Sequence, residues 1–347
     1  MNPATAPEPR SLGPTPSATA PAQPGGGAVP AGARPLRVGT RPSPLALIQT
    51  RGFIALFRGT GATLRDREGA QEVVIRTTGD TVQDRRLADI GGKGLFAKEI
   101  HEALAGHRID CAVHSLKDLE TALPPGIVLA CVLSREDARD ALILRTTAAG
   151  PIDPRHPFAA LPAGATVGTA SLRRQAQLLH VRPDLHVMML RGNVQTRLDK
   201  LAAGTADATM LAMAGLRRLD LAHHAAVAID PDVVVPAAGQ GIVGITVRAD
   251  DTELRTLLAS IADTEASCTA DAERSLLAAL DGSCRTPIGA HARCDANGML
   301  HLTGLLARAD GTYLDRRRLS GPTTDAIRLG FELGAALRSD APADVLG

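Results

Sequence analysis

Arginines recur at the ends of predicted strands and the starts of predicted helices. In GTASLRRQ, a strand ends at Gly168 and a helix opens with Ser171, so Arg173 and Arg174 fall in its first turn. Free N–H groups at a helix N-terminus favour anions, and a guanidinium group binds a carboxylate through two hydrogen bonds. The same placement holds for Arg41 beside Ser43, for Arg191 with Arg197, and for Arg217 with Arg218. Because ligands of open α/β sheets bind at the carboxyl ends of strands, the sequence predicts a cleft for a polycarboxylate.

The segment HSLKD adds a carboxylate to this basic cleft. It follows a predicted strand, DCAVHS, and brings Ser115, Lys117 and Asp118 to the carboxyl end of that strand. Neighbouring cations lower the pKa of a carboxylate, so Asp118 is expected to stay ionised there. It could stabilise a cationic intermediate or accept hydrogen bonds from substrate N–H groups. The alternative is a structural role in which Asp118 caps the next turn, and Asp80 in TTGDTVQD is interpreted as a loop cap of that kind.

Phosphate is the rival ligand, but the glycine-rich motifs that bind it are missing. The chain has no G-x-x-x-x-G-K-[ST] segment and no G-x-G-x-x-G segment after its first predicted strand. IGGKGLF lacks the required spacing and predicts a flexible loop that carries one ammonium group, Lys93. Lysine is scarce, with 4 residues against 34 arginines, and Lys93, Lys98 and Lys117 fall within 25 residues. Either these positions need a compact, titratable ammonium group or they are ordinary surface residues.

Five cysteines stand at positions 111, 131, 268, 284 and 294. They form no C-x-x-C pair and no tight cluster with histidine, so a metal site is not predicted. An odd number in a long chain also argues against a secreted disulfide framework, and reduced thiols in a cytoplasm are expected. Cys284, in DGSCRTPIGA, is unusual because it stands in a turn rather than in a core segment. From this setting alone it is either an inert thiol or a reactive one.

The composition restricts the classes of partner. The 347 residues are 44% hydrophobic and 22% charged, with a net charge of +1, which is typical of a globular protein with sizeable cores. The lack of a basic excess argues against general binding to nucleic acid or to a membrane surface. One Tyr and no Trp leave little for base stacking. No apolar run approaches the roughly 20 residues that span a bilayer.

Three regions of the chain position these residues. Residues 1–34, rich in Pro, Ala and Gly, are expected to form a disordered leader without the pattern of a signal peptide. From residue 36, strands alternate with helices, which predicts α/β domains with largely parallel sheets. After GQGIVGITVRAD the pattern becomes a helix near 265–280, three strands and a final helix. This last part predicts a small α+β domain with an antiparallel sheet, and Cys284 follows its first helix.

Eight segments, in this order, resemble the porphobilinogen deaminase family. They are TRPSPLALIQT, IGGKGLFAKEI, DCAVHSLKDL, VGTASLRRQAQL, LRGNVQTRLDKL, LAMAGLRRL, PAAGQGIVGI and GSCRTPIGA. The resemblance extends from about residue 36 to near the C-terminus and implies an α/β protein. Its first two domains resemble the lobes of a type II periplasmic binding protein, and its third is a small C-terminal α+β domain. The implied boundaries are 35–135 with 239–260 for domain 1, 136–238 for domain 2 and 264–347 for domain 3.

The resemblance implies a transferase of tetrapyrrole (porphyrin and haem) biosynthesis with hydroxymethylbilane synthase activity. The family joins four porphobilinogen molecules head to tail, releases ammonia at each step, and frees a linear tetrapyrrole with water. Its cofactor is a dipyrromethane, and the position that matches the covalent thioether attachment here is Cys284. Each pyrrole carries an acetate and a propionate, in agreement with the predicted polycarboxylate cleft. The resemblance also implies a cytoplasmic monomer that hands its product to uroporphyrinogen III synthase.

The resemblance assigns site residues one by one. The implied catalytic residues are Asp118, Lys117 and Lys93, with no metal. The implied cofactor-binding residues are Cys284, Ser115, Lys117, Asp118, Thr169, Ser171, Arg173, Arg174, Arg191, Gly192 and Asp80. The implied substrate-binding residues are Arg41, Ser43, Arg191, Arg197, Arg218, Phe96 and Gln240.

Three positions depart from the family pattern. Glu120 stands two residues after the implied catalytic aspartate, where proline is usual; Ala170 replaces a commoner hydroxyl residue, and Asp89 occupies a position that is basic in some members. Two rival functions are a solute-binding protein with an arginine-lined cleft and a phosphate-dependent transferase. The first leaves Asp118 and Cys284 without a role and lacks a signal peptide, and the second lacks a phosphate motif.

Overall fold

The computed structural model describes residue 1 and residues 34–60, 67–81, 94–146, 150–281 and 286–345. The predictions made for Lys93, for Cys284, for Asp89 and for nearly all of the leader therefore lie outside the described residues. In the part of the chain that is described, no helix has the length and apolar character needed to cross a membrane.

Within the described ranges, the first sheet has five strands in the order β2-β1-β3-β10-β4. They are β1 (Arg34–Thr40), β2 (Arg67–Val74), β3 (Cys111–Ser115), β4 (Ile127–Val132) and β10 (Val243–Arg248). β1 pairs in parallel with β2 and β3, whereas β10 is antiparallel to β3 and β4. Leu36, Val38 and Ile245 are fully buried, and they pack with Phe53 into one apolar cluster.

The second sheet also has five strands among the described residues, in the order β7-β6-β8-β5-β9. They are β5 (Asp140–Leu144), β6 (Thr166–Gly168), β7 (His186–Met188), β8 (Ala208–Ala212) and β9 (Val227–Ala228). β6 pairs in parallel with β7 and β8, and β5 is antiparallel to β8 and β9. The buried Leu142, Val167 and Met210 form its core with Phe158.

Half of the neighbouring strand pairs in these two sheets are antiparallel, so the prediction of largely parallel sheets is wrong in that respect. The antiparallel strands are β5 and β10, and each begins where the chain has just crossed from the other sheet. They start at the edge where β1, β3, β6 and β8 end, so they run in the opposite direction. The predicted fold class is confirmed as two α/β lobes with a small C-terminal α+β domain.

Seven helices are described in the two lobes, and four of them begin at a capping side chain, namely Ser43, Ser171, Asn193 and Asp251. The seven helices are α1 (Pro44–Gly59), α2 (Thr78–Thr81), α3 (Lys98–Ala105), α4 (Leu172–Val181), α5 (Val194–Ala202), α6 (Met213–Arg218) and α7 (Thr252–Ala259). The Ser43 hydroxyl accepts a hydrogen bond from the Ala46 N–H, and Pro44 is the first helical residue, as predicted. The described part of the two lobes also contains three 3₁₀ turns, Leu116–Asp118, Pro157–Ala160 and Ala222–His224.

The C-terminal domain packs two helices against an antiparallel sheet. It contains α8 (Thr264–Ala279), β11 (Ile288–Cys294), β12 (Met299–Ala307), β13 (Leu314–Pro322), a 3₁₀ turn (Thr323–Asp325) and α9 (Ala326–Ser339). Gly330 lets α9 approach α8 closely, because a Cβ there would lie 2.2 Å from the Ala272 carbonyl oxygen. The predicted α+β architecture of this region is confirmed.

One buried carboxylate connects the C-terminal domain to both segments that cross between the lobes. Glu273 on α8 is fully buried and accepts hydrogen bonds from Arg135 Nη1 at 2.6 Å and Nη2 at 3.2 Å. It also accepts from the backbone N–H of Gly239 at 2.7 Å and of Ala292 at 2.6 Å. Arg135 belongs to the first crossing segment, residues 133–139, and Gly239 to the second, residues 229–242. The carboxylate therefore fixes both segments relative to the C-terminal domain.

Replacing Glu273 with glutamine is expected to lower the free energy of unfolding by about 3 kcal/mol, since removing one partner of a buried ion pair leaves the other charge without compensation. The new amide nitrogen also cannot accept a hydrogen bond from Gly239 or Ala292. Urea unfolding of the parent and the Glu273→Gln variant measures the loss.

Glu332→Gln is the matched control, because Glu332 pairs with Arg328 on the exposed face of α9. Such surface pairs contribute at most about 1 kcal/mol, so this variant should unfold close to the parent. Equal losses in the two variants would contradict a special role for the buried carboxylate.

Candidate active site

The candidate active site lies at the edge where β1 and β3 end and where the crossing segments pass between the lobes. Arg41 directly follows β1, and Ser115 ends β3. Lys117 and Asp118 lie in the 3₁₀ turn that comes next. The structure therefore places these four side chains at strand ends, as the sequence predicts.

Arg41 is the centre of a cluster on the first lobe. Its guanidinium group donates to Asp80 Oδ1 through Nη2 at 2.5 Å and through Nε at 3.1 Å. Arg41 Nη1 lies 3.6 Å from Asp118 Oδ2. The Phe96 ring covers the guanidinium group, with 4.0 Å from the ring centroid to Cζ, which is a cation–π contact. Four of the predicted site residues thus meet at one point.

Asp80 holds Arg41 in place as an ionised partner. Burial would raise the pKa of Asp80, but the Arg41 guanidinium and the hydrogen bonds from Thr77 outweigh burial and lower it. Thr77 donates both its hydroxyl and its backbone N–H to Asp80 Oδ2. Asp80 is therefore more than the loop cap that its sequence setting indicates, because it also orients the Arg41 side chain.

A small pocket of about 50 Å³ opens beside this cluster. Its polar lining consists of Arg41, Ser43, Gln49, His114, Ser115 and Asp118, and Phe96 lies over it. The Ser115 hydroxyl and the Gln49 side-chain amide are hydrogen-bonded at 3.0 Å. The pocket combines a guanidinium group for an anion with a carboxylate that can accept from an N–H donor.

Gln240, on the second crossing segment, connects the two lobes at the site. Lys117 Nζ donates to Gln240 Oε1 at 3.3 Å, while Gln240 Nε2 donates to Asp140 Oδ1 at 3.1 Å and to the Ala138 carbonyl at 2.7 Å. Burial lowers the pKa of Lys117 to about 8, although the nearby Asp118 opposes this shift. The ammonium group thus titrates much closer to neutral pH than an ordinary lysine.

Arg173 and Arg174 lie deeper than the sequence predicts. Both are buried, and both bind the fully buried Asp140, at 2.8 Å from Arg173 Nη1 and 2.7 Å from Arg174 Nη2. Burial would raise the pKa of Asp140, but the two guanidinium groups outweigh it and hold the pKa far below its ordinary value. Two guanidinium groups against one carboxylate leave an excess positive charge beneath the cleft, which favours an anionic ligand.

Arg197 brings the second lobe close to the Asp118 turn. Its Nε donates to the Gly192 carbonyl oxygen at 2.8 Å. Burial and the neighbouring guanidinium groups of Arg174 and Arg191 lower the pKa of Arg197 to about 10, and the charge of Asp118 opposes that shift. Asp118 on the first lobe and Arg197 on the second are therefore near enough to interact electrostatically.

Several smaller predicted residues shape the backbone around these charges. Gly192 has a φ of 123°, and a Cβ there would lie 2.7 Å from Thr196, so only glycine fits. Thr169 Oγ1 accepts from the Ser171 N–H at 3.1 Å, and Ser171 Oγ accepts from the Arg174 N–H at 3.4 Å as the α4 cap. These hydroxyl groups help set the position of the arginines.

Arg218 holds the second crossing segment and is not part of the Arg41 cluster. Its Nη2 donates to the Gly241 carbonyl oxygen at 2.8 Å, and burial lowers its pKa. Two further predicted residues, Lys93 and Cys284, lie outside the described residues.

Arg274 supports the turn that lacks the family's proline. Its guanidinium group donates to the carbonyl oxygens of Leu119 at 3.3 Å, Glu120 at 2.7 Å and Thr121 at 3.2 Å. Arg274 lies on α8, so the C-terminal domain fixes the backbone immediately after Asp118. The structure thereby supplies a constraint at Glu120 that does not depend on a proline ring.

Sequence reasoning missed Gln49, Asp140, Arg135 and Glu273. Gln49 and Glu273 occupy buried helix positions, and a polar residue within an apolar periodicity is the signal that could have found them. Asp140 begins a predicted apolar strand, DALILR, where an acid is out of place unless a buried cation pairs with it. Arg135 carried no comparable signal, because arginine is so frequent in this chain.

Acid should weaken the lobe that carries Asp118, because His114 on β3 is buried in neutral form. Its Nε2 lies 2.9 Å from Thr246 Oγ1, and burial lowers its pKa to about 3. The contribution of His114 is complete above about pH 6.5 and is lost as the pH falls towards 3, since the unfolded chain takes up the proton first. Between about pH 6.5 and 5 this amounts to roughly 2 kcal/mol of unfolding free energy.

Chemical unfolding at a series of pH values, for the parent and for His114→Gln, measures this dependence. The variant should have a shallower acid slope whatever its absolute stability. His186→Gln, which changes an exposed imidazole on β7, should keep the parent slope. Parallel curves for the parent and His114→Gln would contradict the assignment.

Known proteins are similar to this chain at two levels, distant solved structures and much more similar curated relatives. Among solved structures, the VFT2 domain of Bordetella pertussis BvgS is similar to this chain at 16% identity and a TM-score of 0.40, covering 69% of this chain and 92% of that one. This likeness is too distant to bear on function. Curated relatives named porphobilinogen deaminase are far more similar. The relative from Paracoccus denitrificans is 47% identical over 89% of this chain and 96% of its own length.

Further relatives extend the similarity to other lineages. The porphobilinogen deaminase of Sorangium cellulosum is 48% identical over 87% of this chain and 98% of its own length, and the chloroplastic one of Oryza sativa is 44% identical over 88% and 84%. Residues 36–256 match the family model of the porphobilinogen deaminase dipyromethane cofactor binding domain, and residues 267–339 match that of the C-terminal domain. The chain belongs to the porphobilinogen deaminase family, the transferases of tetrapyrrole biosynthesis that the eight sequence segments already resembled.

Proposed function

We propose that Asp118 is the catalytic carboxylate of the family's reaction, the head-to-tail condensation of four porphobilinogen molecules with release of ammonia. One observation carries this proposal: the half-exposed Asp118 carboxylate lies 3.6 Å from Arg41 of its own lobe and within electrostatic reach of Arg197 of the other. A pyrrole whose carboxylates bind these two arginines would have its ring N–H group beside Asp118.

In that position the Asp118 carboxylate accepts hydrogen bonds from pyrrole N–H groups. It also offsets the positive charge that develops on the substrate as ammonia leaves. Charge stabilisation of this kind is strongest where the carboxylate is held in advance, and the turn of Asp118 is fixed by the three hydrogen bonds from Arg274. The structure therefore supports a preorganised site rather than one assembled by the substrate.

Lys117 is proposed to donate or accept a proton beside the Asp118 carboxylate. A group with a pKa of about 8 can both donate and accept a proton near neutral pH, which suits general acid–base chemistry. Its hydrogen bond to Gln240 directs the ammonium group towards the crossing segment. The catalytic role of Lys93 stays a prediction, because this residue lies outside the described part of the chain.

The remaining arginines are proposed to bind carboxylates of substrate and growing chain. Arg41 and Arg197 are the most direct candidates, and Arg191 and Arg218 are proposed as further carboxylate-binding residues. Arg173 and Arg174 contribute the excess positive charge of the buried Asp140 cluster. Ser43, Phe96 and Gln240 complete the proposed substrate contacts.

The donor set fits a dipyrromethane cofactor, whose carboxylates need guanidinium groups and whose N–H groups need a carboxylate. When bound, this group supplies the pyrrole carbon to which the first porphobilinogen is joined. Residues proposed to hold it are Ser115, Lys117, Asp118, Thr169, Ser171, Arg173, Arg174, Arg191, Gly192 and Asp80. Its thioether attachment to Cys284 stays a prediction, because Cys284 lies outside the described residues.

We also propose that the enzyme is a cytoplasmic monomer with domain boundaries at the predicted positions. Cys131, Cys268 and Cys294 are free thiols, as is usual in a reducing cytoplasm. Exposed large apolar side chains of the described ranges are scattered over α1, β2, α4 and α9, which supports a monomer. The grouping of strands into three sheets supports the three domains. We also propose that the product passes to uroporphyrinogen III synthase, and this rests only on the need of a linear product for a cyclising enzyme.

Asp118→Asn is expected to lower kcat about 100- to 1,000-fold, because the amide keeps the shape of the carboxylate but not its charge. Steady-state formation of the linear tetrapyrrole from porphobilinogen measures the loss, and unfolding in urea checks that the fold is kept.

The control is Asp207→Asn, which removes an exposed carboxylate paired with Arg145 on the second lobe. This control should retain nearly the full kcat. Near-normal turnover of Asp118→Asn, with an intact fold, would show that another group provides the catalysis.

A further inference from the structure

Two cysteines of the C-terminal domain form a close pair that the catalytic site does not use. Cys268 lies on α8 and Cys294 ends β11, and their sulfur atoms are 3.9 Å apart. Both are half-buried free thiols. Cys268 Sγ also donates to the Thr323 carbonyl oxygen at 3.4 Å. Two sulfur atoms in van der Waals contact, from elements far apart in sequence, are an arrangement from which a disulfide can form.

Cys268 is the member of the pair that lines a cavity. Cys268 lines an open cavity of about 730 Å³ between α8, the Thr323–Asp325 turn and the start of α9. The cavity is large enough for a tripeptide-sized reagent. By contrast, Cys111 and Cys131 are buried in the core of the first sheet. A thiol-reactive molecule therefore has a route to Cys268 that the cysteines of the first lobe lack.

We propose that Cys268 and Cys294 are a thiol–disulfide modification site, oxidised to an intramolecular disulfide by a low-molecular-weight disulfide such as oxidised glutathione. The Cys268 thiolate attacks the reagent, forming a mixed disulfide and releasing one glutathione thiol. The Cys294 thiolate then attacks Cys268 Sγ and releases the second. Overall, two protein thiols lose two electrons and two protons, and one oxidised glutathione becomes two reduced molecules.

Packing within one domain favours the intramolecular product over the mixed disulfide. α8 and β11 contribute Leu276, Ile288 and Ala292 to the same buried cluster, which holds the two sulfur atoms together before any oxidation. Closing the gap from 3.9 Å to a bond of about 2.05 Å asks for a shift of about 2 Å, within the reach of side-chain rotation. The high effective concentration of Cys294 at Cys268 therefore drives the second step.

Two alternatives fit the pair less well. Among the described residues, no group of three or more His, Cys, Asp or Glu side chains could hold a metal ion, so the pair lacks the ligand set of a structural zinc site. An inert pair is the other alternative. Burial and the neighbouring Cys294 raise the pKa of the Cys268 thiol to about 12, which slows exchange at neutral pH without preventing it at equilibrium.

The experiment incubates the full-length protein to equilibrium in a buffer of equal millimolar reduced and oxidised glutathione. Acid quenching, alkylation under denaturing conditions and intact-mass spectrometry then count the remaining thiols. We expect the parent to lose two alkylatable thiols without gaining glutathione, with at least about nine-tenths conversion. Peptide mapping should recover a Cys268–Cys294 cross-link.

The single variants distinguish the two thiols. Cys294→Ser should accumulate one glutathione on Cys268, because no second thiol resolves the mixed disulfide. Cys268→Ser should react at Cys294 at least about 10-fold more slowly, because Cys268 lines the cavity. Cys131→Ser should behave as the parent. Alkylation of each native protein before oxidation tests whether the buried Cys111 is protected. Reaction at Cys111 would reveal that a variant has unfolded.

Three results would overturn the proposal. The parent could keep all its thiols at equilibrium, which would make the pair inert. It could instead accumulate glutathione without a cross-link, which would show that the backbone does not allow the bond. Equal reaction rates of Cys268→Ser and Cys294→Ser would show that the cavity does not direct the reagent to Cys268.

Discussion

The site depends on a buried carboxylate that lies outside it. Glu273 accepts hydrogen bonds from Arg135, Gly239 and Ala292, and so ties both crossing segments to the C-terminal domain. Arg135 in turn donates Nε to the Gln240 carbonyl oxygen at 3.0 Å. The position of Gln240, and with it the contact between the two lobes, thus follows from a charge pair between the third domain and the first crossing segment.

The hydrogen-bond network continues from Gln240 to residues of the proposed active site. Its side chain contacts Lys117 on the first lobe and Asp140 on the second. Asp140 orients two arginines, and Asp80 does the same for Arg41. In each case a carboxylate fixes a guanidinium group, which reduces the entropy lost when a ligand carboxylate binds. The excess of guanidinium groups over carboxylates leaves the cleft basic although the chain is almost neutral.

The sequence predicted the elements better than their connections. Strands, helix starts and the capping role of Ser43 follow from local patterns, and the order of eight segments indicated the family. Local patterns could not show that β5 and β10 run antiparallel to their neighbours, because the crossing of the chain between sheets determines this. The burial of Arg173 and Arg174 against Asp140 was equally hidden, since an acid at the start of an apolar strand indicates a buried cation but not which of the arginines supplies it from 33 or 34 residues away.

The role predicted for Cys284 depends more on the family resemblance than on the physical setting of the residue. A turn-held cysteine is equally compatible with an inert thiol, and only the neighbouring family segments favoured attachment of the cofactor. The rival solute-binding and phosphate-dependent functions lose their basis once the family is established. What the structure adds is a donor set suited to a polycarboxylate with N–H groups.

The central claim is that a covalently attached dipyrromethane starts the reaction beside Asp118. Intact-mass spectrometry of the purified protein tests it most directly. We expect an excess over the chain mass equal to two pyrrole units, absent in Cys284→Ser and retained in Cys294→Ser, in which the substituted residue lies ten positions further along. A fully active protein with the mass of the bare chain would contradict it.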